Sequence, residues 1–102
     1  MKLLTQAIKD QLPALYAQEK KGNDAVAFVK FFTPDSNWTW WATEYDPEEG
    51  LFFGLVSGFE VELGYFSLSE LEAARGPLGL AIERDKWWEP TTIGEIRKSL
   101  QS

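Results

Sequence analysis

The chain has 102 residues, 44% of them apolar and 15% aromatic, with ten basic and sixteen acidic side chains and a net charge of −6. That is the size of one domain around one core, expected to span residues 1–102. It contains no Cys and no His, which excludes disulfides, thiolate metal sites, a Cys nucleophile, serine–histidine–acid triads and histidine-based zinc or phosphoryl-transfer chemistry.

Met1-Lys2-Leu3-Leu4 resembles the start of a secretory signal, but Thr5-Gln6 and Lys9-Asp10 interrupt the apolar run that a signal needs. No segment approaches the length of a membrane span, and the expected location is the cytoplasm. Thr5 is placed to cap a short helix over 5–12, ended by Pro13. The polar stretch 18–24 reads as a loop. Residues 25–32 form a continuous apolar run that suits a strand, followed by the dense turn signal Thr33-Pro34-Asp35-Ser36-Asn37.

Residues 38–45 predict the next strand. Strict alternation puts Trp38, Trp40, Ala42 and Glu44 on one face and Thr39, Trp41, Thr43 and Tyr45 on the other. Asp46-Pro47-Glu48-Glu49-Gly50 reads as a hairpin loop, with Gly50 supplying a positive φ. Strands over 51–57 and 61–66 follow, joined by Gly58-Phe59-Glu60. Two capping boxes, Ser67-x-x-Glu70 and Thr92-x-x-Glu95, open helices over 67–75 and 92–100. Gly76-Pro77 ends the first of these, and 78–85 is ambiguous, with room for a short strand. The expected fold is α+β: an antiparallel meander of about four strands covered by short helices.

The charges are segregated. Between Phe31 and Ala74 stand nine carboxylates, from Asp35 to Glu72, and no Lys or Arg. The plain meaning is a solvated face with protected sheet edges. The sharper meaning is an acidic surface built from Glu44, Asp46, Glu48, Glu49, Glu60 and Glu62, continuous if the hairpin tips lie together, that meets a basic partner. Asp46, Glu48 and Glu49 could hold a weak cation, but they lack the oxygen count of a calcium loop, and no metal site or cofactor is assigned.

Trp38, Trp40 and Trp41 place indoles on both faces of one strand, and Trp87-Trp88 is a second pair, pointing to opposite sides if extended. At least one of the five is expected to be exposed beside an acid. Exposed rings on a sheet can stack bases, sugars or a peptide, whereas indoles covered by helices are simply core. Direct nucleic-acid binding also needs cations for the phosphates, which this block lacks, so none is expected. Glu83-Arg84-Asp85 has two close carboxylates, but an Arg between acids is the pattern of a structural ion pair, and no catalytic residue is assigned. Asn37-Trp38-Thr39 fits a glycosylation acceptor, which has no meaning without a secretory signal.

The runs Phe31-Phe32-Thr33-Pro34-Asp35-Ser36-Asn37-Trp38-Thr39-Trp40, Glu44-Tyr45-Asp46-Pro47, Gly64-Tyr65-Phe66-Ser67-Leu68, Arg75-Gly76-Pro77-Leu78-Gly79-Leu80 and Glu83-Arg84-Asp85 resemble a small bacterial family, domain of unknown function 2958. The resemblance covers nearly the whole chain. It implies a single-domain protein of plasmids, integrative elements and phages, often encoded near genes for conjugation or DNA processing, and it brings no activity and no catalytic residues. Some relatives carry a lipoprotein label, from which this chain departs, having no Cys.

Three function classes follow. The leading expectation is a non-catalytic interaction or accessory module of a mobile element, its acidic surface meeting a basic DNA-processing or defence protein. The alternatives are a small-ligand binder using an aromatic sheet face, recognisable by an apolar concave pocket, and a carboxylate-based enzyme. The sequence sets no oligomeric state.

Overall fold

The computed structural model describes residues 2–101. All three helix starts read from the sequence are built by their caps. Thr5 Oγ1 accepts the Ile8 N–H at 3.3 Å and opens α1 (Gln6–Gln11). The stretch read as a loop before the first strand contains a 3-10 helix, Glu19–Asp24, kinked at Gly22 with φ 55°.

The apolar run 25–32 is two strands, not one. β1 (Val26–Ala27) and β2 (Val29–Phe32) are separated at Phe28, whose N–H donates to the Ala42 carbonyl. Ala25, Ala27, Val29 and Phe31 are all buried, so the period-two pattern runs unbroken through the interruption. The break sends Ala25 and Ala27 to one core and Val29 and Phe31 to another. Only a change of hydrogen-bonding partner marks it, and alternation does not encode partners.

β3 (Thr39–Asp46), β4 (Leu51–Ser57) and β5 (Val61–Ser67) form the expected meander. Gly50, at φ 63°, makes the turn between β3 and β4. α2 (Leu68–Ala73) starts at Ser67, whose Oγ accepts the Glu70 N–H at 3.0 Å and donates to Glu70 Oε1 at 2.8 Å. The ambiguous stretch 78–85 contributes β6 (Glu83–Arg84), paired with β2. β7 (Thr91–Thr92) pairs with β1, and Thr92 Oγ1 accepts the Glu95 N–H at the start of α3 (Ile93–Gln101). The main sheet is antiparallel throughout, in the order β5-β4-β3-β2-β6. The fold is α+β.

Each face of this sheet carries a core. On the first, Val29, Phe31, Ala42, Tyr45, Phe52 and Phe66 pack under α1 and α2 with Leu71 and Ile82. On the second, Trp41 and Leu55 pack with Ala25 and Ala27 under Ile93 and Ile96 of α3. Between them, β3 carries a bulge. Ala42 pairs with Gly54 but Glu44 pairs with Phe53, leaving Thr43 as the extra residue. The strands come so close there that a Cβ on Gly54 would lie 1.8 Å from the Trp41 carbonyl oxygen.

Candidate functional site

The bulge changes which residues can act together. Beyond Thr43 the alternation shifts, so Glu44 joins the face of Trp41, and Tyr45 joins the face of Trp40 and Ala42. The expected Trp38–Trp40–Glu44 face is therefore divided. Glu44 is not part of an acidic surface either: it is 3% exposed.

Trp38 and Trp40 stay together on the first face. Their rings stack at 5.9 Å, and the Phe59 ring meets Trp38 edge-on at 5.3 Å. Phe59 crowns the turn between β4 and β5, closed by the Gly58 N–H donating to Glu60 O. Trp38 lies directly over Gly58, where an added Cβ would fall 2.3 Å from the indole. Phe59 is 96% exposed, while Trp38 and Trp40 are half-buried beneath it. Exposed Glu60 follows Phe59, and exposed Glu62 lies across β4 from Trp40 through Val56. This tip is an aromatic platform beside two carboxylates.

The remaining acids lie elsewhere. Asp46, Glu48 and Glu49 occupy the turn before β4, and the Asp46 carboxylate accepts the Glu48 N–H at 3.0 Å. Consecutive turns of a meander fall at opposite ends of the shared strand, here roughly 20 Å apart. The two hairpin tips thus do not make one continuous negative field. Tyr45's phenol is raised above its ordinary value first by burial, then by the charges of Asp46 and of Glu72 on α2. Asp35 clamps a loop, its Oδ2 accepting the Leu78 N–H at 2.8 Å.

Trp41 is core. Trp87 and Trp88 sit in a turn beyond β6, at the other edge of the sheet. Trp87 is 89% exposed, and its N–H donates to the Asp85 carboxylate. Trp88 is half-buried; its Nε1–H donates to Ala27 O at 3.0 Å beneath the Lys30 ammonium. It fastens the break between β1 and β2. Lys30 pairs with Asp85 at 3.8 Å.

The second face holds a concave pocket of about 300 Å³, between the 3-10 helix and β5. Glu44 forms part of its lining. Its Oε1 accepts the Tyr16 N–H at 2.8 Å and its Oε2 the Gln18 N–H at 2.7 Å. Tyr16 has φ 73°, a costly conformation for a bulky residue. Gln18, itself buried, ties the loop to the bulge by donating to Val26 O and to the carbonyl of Thr43. The phenol of Tyr65 on β5 is raised above the ordinary value, first through hydrogen bonding with the Tyr16 side chain, then by desolvation and the neighbouring Tyr16, Glu44 and Glu19. Phe53 and Leu63 complete the apolar wall, and β5 is an outer strand of the sheet.

Sequence reasoning missed Phe59, Tyr16, Leu63 and Tyr65. Phe59 had a signal, a large ring inside a three-residue turn. Tyr16 had none, because its role depends on a carboxylate 28 positions away in the chain. Among the described residues, no three His, Cys, Asp or Glu side chains are grouped to hold a metal ion, and no helix is long and apolar enough to cross a membrane.

Over residues 3–95 the sequence matches the family described as Protein of unknown function (DUF2958). No curated protein and no solved structure matches it.

Proposed function

Because the chain belongs to that family, and the family brings no activity with it, we propose from its surface that it is a non-catalytic binding module that grips a basic segment of a protein partner. The observation that carries this reading is Phe59, 96% exposed at the head of the Trp38–Trp40 stack. A large exposed ring continuous with two half-buried indoles makes an apolar patch of the kind that a partner covers. Aromatic faces beside Glu60 and Glu62 suit guanidinium and ammonium groups, which stack on rings while pairing with carboxylates. The same charges disfavour a phosphate backbone. A DNA-processing or defence protein of the cytoplasm, met by a module of a mobile element, has the basic groove that would supply such a segment.

The test is a titration of Trp fluorescence with an arginine-rich peptide and a glutamate-rich peptide of equal length, at low and high salt. The arginine-rich peptide should bind and weaken as salt rises. Phe59→Ala, and separately Glu60→Lys with Glu62→Lys, should each weaken binding by about tenfold or more, a hot-spot-sized loss. Equal binding of both peptides, or full affinity in both variants, would overturn the reading.

A further inference from the structure

The pocket on the second face is separate from the aromatic tip and presents different chemistry. We propose that it is a binding site for a small organic cation, a primary ammonium on a short aromatic or aliphatic stem.

Three features of the wall specify that ligand. The first is charge: Glu44 and Glu19 line the pocket, and no Lys or Arg does. Lys20 and Lys21, next to it in the chain, are exposed and stay out of the lining. An anionic ligand would therefore meet only like charge, whereas a cation would meet a carboxylate taken almost wholly out of water. Interactions gain strength when water is excluded, and the Glu44 carboxylate is matched so far only by two backbone N–H groups. Each of its oxygens has a further acceptor site free of those two bonds.

The second feature is the aromatic lining. Tyr16, Phe53 and Tyr65 bring three rings to one small space, with Phe53 and Tyr65 edge to face at 5.0 Å. Rings beside a carboxylate are the chemistry of ammonium recognition. The volume, about 300 Å³, stands at the low end for ligand sites and suits a compact amine rather than a nucleotide. The third is preorganisation. Tyr16 is held at positive φ by the hydrogen bond from its own N–H to Glu44. Strain of this kind persists only where the surroundings enforce it, and it gathers at binding sites. The loop, the bulge and the carboxylate are thus already locked together, so little ordering is left for a ligand to impose.

The experiment is amide chemical-shift mapping with three probes of one shape and different charge: 2-phenylethylamine, 2-phenylethanol and phenylacetate. The amine should shift the amides of Tyr16, Gln18, Leu63 and Tyr65. The alcohol should bind about tenfold more weakly at the same amides, and phenylacetate should not bind, since a charge-assisted contact is roughly twice as strong as a neutral one. Glu44→Gln should erase the preference for amine over alcohol. Should that variant fail to fold, Leu63→Arg serves instead: Leu63 is 45% exposed on an outer strand, so the fold tolerates a cation there, and that cation should abolish amine binding. The proposal is overturned by equal binding of amine and alcohol, by binding of phenylacetate, by shifts outside the pocket, by undiminished amine binding in Leu63→Arg, or by no shift at millimolar amine.

Discussion

Glu44 shows how a single side chain can take a role that its place in the sequence conceals. In an alternating strand it looks like the outward acid of an acidic run. The extra residue at Thr43 moves it from the Ala42 face to the Trp41 face, where it holds the N–H groups of Tyr16 and Gln18. Replacing Glu44 with Ala would leave the buried Gln18 N–H and the part-buried Tyr16 N–H unpaired and release Tyr16 from its strained φ. The expected loss is about 3 kcal/mol or more, read as a fall in the urea midpoint with the slope unchanged. Glu60→Ala, on the exposed tip, should change the same midpoint by no more than about 0.5 kcal/mol. Bulges leave little trace in composition: Ala42-Thr43-Glu44 contains no Gly, and the glycine that permits the close approach beside the bulge is Gly54 on the next strand. That Trp38 and Trp40 share a face was legible, because they precede the shift; the faces of Glu44 and Tyr45 were not.

Elements were easier to read than single residues, because their signals are local. Caps, turns and strand lengths depend on neighbours in the chain. The helix starts at Thr5, Ser67 and Thr92 and the turn at Gly50 all form where the sequence places them. Gly50→Val puts a β-branched residue at φ 63° and should cost about 1 kcal/mol or more. Ser67→Ala removes both bonds of the capping hydroxyl to Glu70 and should cost about 1 kcal/mol; thermal unfolding of the two variants checks both values. The part that escaped was pairing at a distance. Nothing local says that Val26 meets Thr92 while Val29, three residues later, meets Ala42. The same limit hid the pocket, whose wall is drawn from the 3-10 helix, β3, β4, β5 and α3.

Across the whole molecule, the absence of His removes any side chain that ordinarily titrates near neutrality, and two tyrosines are shifted on the alkaline side. Tyr45 is raised above 10.0, first by burial and then by Asp46 and Glu72; Tyr65 is raised first by its bond with Tyr16. A raised phenol means that the folded state favours the neutral form. Its contribution is fully present below the unfolded value, about pH 10, and is lost as pH rises through the folded value. Urea midpoints should hold between pH 8 and pH 9.5 and fall above about pH 10. Tyr45→Phe should flatten that fall, measured against wild type under identical conditions. An equal fall in the variant would assign the alkaline loss to other groups.

The second core has a consequence for how the protein is made. Trp41 and Leu55 emerge from the ribosome well before Ile93 and Ile96, which cover them. The β3–β4–β5 meander can pair as soon as it appears, since its contacts are local. Until α3 arrives, however, a nascent chain shows an indole and a leucine to the surrounding water and to any chaperone that binds apolar surface. The Trp88 indole, fastened to Ala27 O, comes just ahead of that helix and carries the chain back across the opening. The order of synthesis thus leaves one face of the sheet uncovered until the segment around β7 and α3 arrives to complete it.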